Sequence, residues 1–182
     1  MAELLATDSD GEQHFIWTQE HNDTCGPACV YMIERMLRLQ CVAGGEERVT
    51  IIASLFPKGY HDGKGTESYT ALQQVVVRLG IPSAARHVTN VGQFVSEGFI
   101  PFIARVGWKS GGGHFVVGAK TTNSGRLVCM DPWYGLVEPV ISTLPLYPHS
   151  GSLSGHVIFP NASLQARPNL PSGAGWLSPP AG

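Results

Sequence analysis

Residues 19–33 read Gln19-Glu20-His21-Asn22-Asp23-Thr24-Cys25-Gly26-Pro27-Ala28-Cys29-Val30-Tyr31-Met32-Ile33. A polar loop is followed by a cysteine and then by an apolar run, which predicts a buried helix that begins at Cys25. A cysteine in the first turn of a helix lies near unpaired backbone N–H groups and the positive end of the helix dipole, and both favour the thiolate over the thiol. Because the thiolate is the attacking form, Cys25 is the candidate nucleophile.

The apolar residues after Cys25 recur at helical spacing, whereas Glu34, Arg35 and Arg38 gather on the other side, so this helix is predicted to be amphipathic and mostly buried. Pro27 suits its first turn, where no N–H is needed. Three more helical segments are predicted: residues 50–56, ending at Pro57; a helix capped by Thr66 that carries Tyr69, Leu72, Val75, Val76 and Leu79 inward and stops at Gly80; and Val91 to Ser96.

The second half of the chain has short runs rich in Val, Ile and Phe, separated by Gly, Pro or Asn turns. These runs predict strands over residues 100–106, 114–119, 125–130, 136–141 and 156–159. Helices first and strands second predict an α+β domain, in which an N-terminal helical half packs on a C-terminal antiparallel sheet. A cleft between the two halves is the expected place for an active site.

The chain has 182 residues, which fits one domain of ordinary size. We expect an N-terminal extension over residues 1–18, the functional domain over 19–159 and a tail rich in Pro, Gly and Ser over 160–182. There are 12 Lys and Arg against 14 Asp and Glu with no basic stripe, so nucleic acid is not an expected partner. No run of about 18 apolar residues and no signal peptide is present, which predicts no membrane span and a location that is cytoplasmic or reached without a Sec signal.

The four cysteines are too few for a disulfide framework. Cys41 and Cys129 are predicted to be packing residues. Cys25 and Cys29 are spaced as a helical pair, so a metal or redox site has to be weighed. No second cysteine pair with zinc spacing follows, and a redox pair normally has two intervening residues rather than three. We therefore expect no metal ion and no cofactor.

A thiolate needs a base that holds its proton and later delivers it to the leaving group. Of the seven histidines, His114 has the most suitable context. It follows Ser110-Gly111-Gly112-Gly113 and opens a strand that would fix its ring. Because Gly112 and Gly113 have no side chains, a substrate backbone could pass close to them, and we expect both to contact the substrate.

The base in turn needs a partner on its second ring nitrogen. Asp131 ends the strand that precedes Pro132. If this strand pairs with the His114 strand through the turn at residues 121–125, Asp131 comes to lie beside His114. Trp133 follows directly and is a further candidate for substrate contact.

Four features together, in this order and spacing, carry a resemblance: Gln19, the run Asp23–Ala28, the run Gly112–Val117 and the pair Asp131-Pro132. The chain resembles the papain-like cysteine peptidases, and most closely their bacteriocin-processing, double-glycine branch, over residues 19–159. The resemblance implies that Cys25 is the nucleophile, that His114 is the general base and acid, and that Asp131 orients His114. It also implies that the Gln19 amide and the Cys25 N–H form the oxyanion hole.

The function that follows is hydrolysis of a peptide or isopeptide bond through an acyl-enzyme on Cys25, and the resemblance implies cleavage after small residues such as Gly-Gly. Two alternatives stay open. The same residues could act on a side-chain amide, as in a glutamine deamidase or a transglutaminase-type effector or toxin, or the cleft could bind a glycine-rich peptide without turnover. The expected partner is a peptide or protein substrate, joined by an inhibitor or immunity protein if the chain is a toxin.

Overall fold

The structure of the protein is a computed structural model that describes residues 3–19, 21, 23–37, 44–56, 65–66 and 68–161. Its elements within these residues are, in chain order, β1 (Glu3–Thr7), β2 (Gln13–Trp17), α1 (Cys25–Met36), α2 (Gly45–Ser54), α3 (Tyr69–Arg78), β3 (Ser83–His87), α4 (Val91–Ser96), β4 (Phe102–Trp108), β5 (Gly113–Thr121), β6 (Leu127–Asp131), β7 (Gly135–Val137), β8 (Leu146–Tyr147) and β9 (Gly151–Pro160). The predictions for Cys41, for Pro57 as a helix stop and for the tail from residue 162 onward lie outside the described residues.

The main sheet has seven strands in the order β3-β9-β4-β5-β6-β7, with β8 paired to β9. Every pairing is antiparallel. The predicted α+β architecture is therefore confirmed. Each predicted strand is present with shifted ends, whereas β3 and β8 were not predicted; β8 spans only two residues, too short for a periodic pattern.

The two faces of the sheet carry separate cores. One face packs against α1, α2 and α3 through residues that include Ile103, Phe115 and Val117. The other face packs against α4 through residues that include Phe102 and Val116. Burial of both faces explains why the middle strands read as continuous apolar runs rather than as alternating ones.

Helix α1 begins at Cys25, as predicted, and is buried on nearly all sides. One residue on its expected polar side does not follow the prediction. Glu34 is only 2% exposed, because its carboxylate pairs with the Arg48 guanidinium of α2, whose Nε lies 2.9 Å from Glu34 Oε2. The apolar residues of α1 are buried as the amphipathic pattern predicts. The charged Glu34 is buried as well, because Arg48 of α2 supplies its partner.

The predicted starts of α2 and α3 were wrong. Helix α2 begins at Gly45 rather than at residue 50, with Glu46 and Glu47 in the first turn, where acidic residues favour the helix dipole. Helix α3 is capped by Ser68 and not by Thr66, since Ser68 Oγ accepts a hydrogen bond of 3.1 Å from Ala71 N. Helix α4 spans the predicted residues.

The N-terminal strands β1 and β2 form an antiparallel hairpin, which was not among the predicted elements. Strand β2 buries Phe15, Ile16 and Trp17 in the helical core. The rings of Phe15 and Trp17 meet Tyr31 of α1 edge to face, at centroid distances of 5.8 and 5.5 Å. The hairpin is thus packed against α1, while the domain boundary at residue 19 remains a prediction.

Among the described residues, no helix combines the length and the apolar character needed to cross a lipid bilayer.

Candidate active site

Cys25 is the first residue of α1 and is 6% exposed. The residue before it, Thr24, does not cap the helix with its side chain, because Thr24 Oγ1 donates instead to the His21 carbonyl at 3.0 Å. The first N–H groups of α1 therefore have no side-chain acceptor from the residue before the helix. Such free donors favour negative charge at this position.

Close packing fixes the backbone around Cys25. A methyl group on Gly26 would collide with the Thr66 side chain and would lie 3.3 Å from Leu72 Cδ1, so Thr66 lies directly against the turn that carries Cys25. Gly65 has a φ of +70° and approaches the backbone of Asp23. The two glycines allow residues 65–66 to lie against the loop that carries Cys25.

His114 and Asp131 lie side by side, as the predicted hairpin requires. Strands β5 and β6 pair antiparallel, with Val117 opposite Met130. His114 Nε2 is 2.7 Å from Asp131 Oδ1, and the two residues are 3% and 0% exposed. The hairpin prediction is therefore confirmed, and the ion pair between these residues is shielded from water.

The carboxylate of Asp131 receives four hydrogen bonds. Oδ1 accepts from His114 and from the backbone N–H groups of Trp133 and Tyr134, at 2.6 and 3.0 Å, and Oδ2 accepts from the Tyr147 hydroxyl at 2.6 Å. Burial alone would raise the pKa of Asp131, but the bonds from His114, Tyr147 and the Trp133 N–H hold it below its ordinary value. A carboxylate with this many donors stays ionised in a buried site.

Tyr147 also belongs to this site, although it was not among the predicted site residues. It lies on the two-residue strand β8 and is buried, and burial, together with the charge of Asp131, raises the pKa of its hydroxyl. The hydroxyl is therefore a permanent donor to Asp131. Only the sheet topology brings β8 near β6, so no local signal in the sequence could have identified this contact.

The imidazole of His114 lies between the Asp131 carboxylate and the Cys25 thiol. Burial alone would lower the pKa of His114, but hydrogen bonds to Asp131 and to Cys25, with the charges of both groups, raise it to about 9. At neutral pH the ring is therefore an imidazolium with both nitrogens acting as donors. Since Nε2 is hydrogen-bonded to Asp131, Nδ1 is the nitrogen that can form the hydrogen bond to Cys25.

Two tryptophan rings flank His114. Trp108 of β4 stacks near it, at a centroid distance of 6.2 Å and an interplanar angle of 22°, and Trp133 meets it edge to face at 6.1 Å. Trp133 is 52% exposed, which leaves its ring open beside the imidazole, where we expected it to contact a substrate. Trp108 was not among the predicted site residues.

Gln19 connects the two sides of the site. Its backbone N–H donates to the Pro132 carbonyl at 2.8 Å, which ties the loop before Cys25 to the turn after Asp131. Its side-chain Nε2 donates to the His21 carbonyl at 3.0 Å, which leaves the second Nε2 hydrogen for another acceptor. Oε1 is buried and has no hydrogen-bond partner among the described residues.

Gly112 and Gly113 form an exposed edge next to His114. Gly112 has a φ of +83°, and a Cβ on Gly113 would lie 2.5 Å from the Arg105 guanidinium, which also donates from Nη2 to the Gly112 carbonyl at 3.1 Å. Glycine is thus needed at 112 by the backbone angle and favoured at 113 by Arg105. Both glycines are exposed, and contact between this edge and a peptide substrate remains a prediction.

Cys29 and Cys129 lie in the two apolar cores of the domain. Both are fully buried, and burial, reinforced by the charge of Asp131, raises the pKa of each thiol. A buried protonated thiol is a poor metal ligand and a poor redox partner for Cys25. Within the described part of the chain no three His, Cys, Asp or Glu side chains converge as metal ligands.

No protein-family model matches the sequence, and no curated protein matches it by sequence comparison. Solved structures do match the fold. The peptidase domain of Streptococcus ComA, a bifunctional ABC transporter involved in quorum sensing, superposes with a TM-score of 0.61 at 18% identity, over 79% of this chain and 95% of that domain.

Two further solved structures have the same fold. A double-glycine motif protease from an AMS/PCAT transporter, in complex with the leader peptide, gives a TM-score of 0.55 at 16% identity, over 87% of this chain and 100% of that one. The peptidase domain of Streptococcus mutans ComA gives 0.51 at 16% identity, over 79% and 96% of the two chains. The predicted papain-like fold is therefore confirmed as the fold of these peptidase domains.

Proposed function

We propose that the protein is a papain-like cysteine peptidase that hydrolyses a peptide bond through an acyl-enzyme on Cys25. The observation that carries this proposal is the buried His114 imidazole, which is bound to Asp131 on one side and to the Cys25 thiol on the other. A nucleophile, a base within hydrogen-bond reach and a third group that orients the base are the parts that acyl transfer needs.

The first half of the reaction forms the acyl-enzyme. The Cys25 thiolate attacks the carbonyl carbon of the scissile bond, a C–S bond forms and the carbonyl oxygen takes the negative charge. The free Nε2 hydrogen of Gln19 and the Cys25 N–H stabilise this oxyanion. His114 then gives its proton to the departing amine as the C–N bond breaks, and Asp131 holds the ring throughout.

The second half releases the acyl group. Neutral His114 takes a proton from water, the hydroxide attacks the thioester carbonyl and the Cys25 thiolate leaves with the C–S bonding pair. The imidazolium and thiolate are thereby restored, so no cofactor is consumed. Tyr147 takes no part in proton transfer in this scheme; it fixes Asp131, which fixes His114.

We further propose that cleavage follows small residues such as Gly-Gly, within a peptidase domain that spans residues 19–159. The support is the likeness to a protease described as a double-glycine motif protease, together with the bare edge of Gly112 and Gly113 beside His114. An inhibitor or immunity protein, the partner expected of a toxin, would block such a site by covering the exposed ring of Trp133.

Alkylation with iodoacetamide at mildly acidic pH, mapped by mass spectrometry, tests the nucleophile. Cys25 should be labelled much faster than Cys41, Cys29 or Cys129. Equal labelling of Cys25 and the buried Cys129, or activity that survives Cys25→Ala, would rule out the mechanism.

Incubation with a peptide library tests the reaction type. Chain fragments with a new carboxyl terminus after Gly-Gly support the peptidase. A gain of about one mass unit on an intact target would instead indicate a deamidase, and binding without any mass change would indicate a peptide-binding module. Cys25→Ala is the control in each arm.

A further inference from the structure

Trp108 lies beside His114 because of the way the sheet is paired. In the β4–β5 ladder, Val106 is directly opposite His114. Directly opposite side chains share one face of a sheet, and so do side chains two residues apart on a strand, which places Trp108 on the same face as His114. Its indole stacks near the imidazole at a centroid distance of 6.2 Å and an interplanar angle of 22°. The ring that flanks the base is therefore carried by the neighbouring strand.

The same ring also lies beside two of the residues that hold Asp131. It meets Tyr134 edge to face at a centroid distance of 6.3 Å, and it lies at 6.3 Å and 59° from the ring of Tyr147. Tyr134 donates its backbone N–H to Asp131 Oδ1, and Tyr147 donates its hydroxyl to Oδ2. Trp108 thus packs against the base and against two donors to the residue that orients the base.

Room for the indole exists because the residue opposite Trp108 in β9 is a glycine. Gly151 pairs with Trp108 in the β4–β9 ladder. A Cβ on Gly151 would lie 2.5 Å from Trp108 Cζ3 and 2.9 Å from Val106 Cγ1, so a larger residue would displace the indole. The position of the Trp108 ring therefore depends on glycine at residue 151.

The turn between β8 and β9 has an unusual backbone. His149 and Ser150 have φ of 57° and 61°, in the left-handed region that residues with a Cβ rarely adopt. Such a conformation persists where surrounding contacts hold it. Here the Ser150 carbonyl accepts a hydrogen bond of 3.4 Å from Lys109 N, and the His149 ring stacks on Tyr134 at a centroid distance of 4.5 Å. The turn is thus fixed by the residue after Trp108 and by a ring that Trp108 meets.

We propose that Trp108 is a positioning residue that sets the plane of the His114 imidazole toward Cys25. The hydrogen bond between Nε2 and Asp131 fixes one atom of the ring, but rotation of the side chain about its χ angles also decides where Nδ1 points. A nearly parallel indole limits this rotation, because aromatic pairs are favoured in offset-stacked geometry. The face of the indole also attracts the imidazolium. Both effects favour a protonated ring with Nδ1 directed at the Cys25 sulfur.

A role in packing alone would have different consequences. Trp108 also packs against the apolar core on the α4 side of the sheet. A residue that only fills space can be replaced by another apolar residue at a cost in stability alone. A positioning residue should instead change the pKa of His114 and the rate of the chemical step when its ring is removed or displaced. The inference rests on the proposed function only for the second of these effects.

Three variants test the role of the ring by NMR titration of His114, which needs no turnover. Trp108→Leu removes the aromatic face, Gly151→Ala keeps the indole but displaces it, and Trp108→Phe keeps a smaller aromatic face. The pKa of His114 is about 9 in the wild type. We expect it to fall by about half a unit in the first two variants, the size of a cation–π contact, and by less in Trp108→Phe.

Each disruptive variant has a matched control in the apolar core. For the lost ring the control is Phe99→Leu, since Phe99 stacks on Phe94 at a centroid distance of 4.9 Å. For the added methyl group it is Gly118→Ala, whose Cβ would lie 2.5 Å from the Phe102 ring. Both controls should lower the urea midpoint and leave the pKa of His114 unchanged.

Activity gives the second readout, on a peptide that the wild type cleaves. A displacement of about 1 Å at a reacting group can cost about 10²-fold in rate, so kcat should fall by about 10- to 100-fold in Trp108→Leu while KM changes little. Trp108→Phe should recover most of the lost kcat.

Either of two outcomes overturns the inference. If Trp108→Leu and Gly151→Ala lower the urea midpoint but leave the pKa of His114 and kcat unchanged, Trp108 only fills space. If Trp108→Phe loses as much as Trp108→Leu, an aromatic face is not what positions the base. Should Trp108→Leu fail to fold, Gly151→Ala decides alone.

The proposed peptidase is judged separately, by iodoacetamide labelling of Cys25 in the otherwise unchanged chain. A pKa of His114 that depends on Trp108, found together with an unreactive Cys25, would support the positioning role and reject the peptidase.

Discussion

Replacing Asp131 by Asn removes the charge that holds the His114 proton while keeping the shape of the side chain. The pKa of His114 is about 9, against an ordinary value near 6.5. Since one pKa unit corresponds to 1.36 kcal/mol, its partners stabilise the imidazolium by about 3 kcal/mol beyond the cost of burial. In Asp131→Asn the amide oxygen can still accept a hydrogen bond from His114, but the negative charge is lost, so the pKa of His114 should fall by more than one unit.

The Asp131→Asn substitution should also change the pH dependence of activity in a defined direction. The proposed mechanism needs protonated His114 to donate to the leaving amine, so wild-type kcat should fall as the pH rises through about 9. In Asp131→Asn this alkaline limb should move to lower pH, and the loss at neutral pH should be about 10²- to 10⁴-fold, the usual contribution of a positioned acid–base group.

The assay is an NMR titration of the His114 ring, with a pH–rate profile on a peptide that the wild type cleaves. Tyr147→Phe serves as the control, because it leaves the Asp131 charge in place and should shift the pKa of His114 much less. The reasoning fails if the pKa of His114 stays near 9 in Asp131→Asn, because the Asp131 charge could not then be its cause.

Three further changes give independent tests. Tyr147→Phe should lower the free energy of unfolding by about 1.5–3 kcal/mol in urea titrations, because the buried Asp131 carboxylate loses one of its four donors; an unchanged midpoint would contradict the buried hydrogen bond. Gln19→Ala should lower kcat by about 10²–10³ with little effect on alkylation of Cys25, the pattern of a donor used only by the oxyanion; a parallel loss of alkylation would point to misfolding instead. Gly118→Ala should cost about 1–3 kcal/mol of stability by overpacking, since its Cβ would lie 2.5 Å from the buried Phe102 ring, yet leave the pKa of His114 unchanged; a normal thermal midpoint would refute it.

Local patterns were sufficient to predict the parts of the fold that depend on local physics. The α1 helix follows from apolar spacing within one segment, and the approach of Asp131 to His114 follows from a single hairpin. Contacts that join distant segments left no such signal. Tyr147 reaches Asp131 only through the pairing of β8 with β9, and Glu34 is buried only because α2 carries Arg48 to it.

Helix ends were harder to predict than helices for a related reason. Thr66 and Ser68 are equally suitable caps by residue type, and only the backbone conformation decides between them. In the structure Thr66 packs on Gly26 instead, so its side chain contacts the turn that carries Cys25 rather than capping α3. A side chain that is held in a tertiary contact cannot at the same time cap the neighbouring helix, even where its residue type is suitable for a cap.

The N-terminal hairpin has a stronger connection to the site than its position in the sequence implies. Strand β2 ends at Trp17, two residues before Gln19, and its aromatic rings are fixed against Tyr31 in the middle of α1. The Gln19 N–H is fixed at the same time to the Pro132 carbonyl, next to Asp131. Gln19, the proposed oxyanion donor, is therefore held between the helix that begins with Cys25 and the turn that follows Asp131. Loosening β2 should displace Gln19 before it disturbs the His114–Asp131 pair, because that pair lies on the β5–β6 hairpin and is held in addition by Tyr147 of β8.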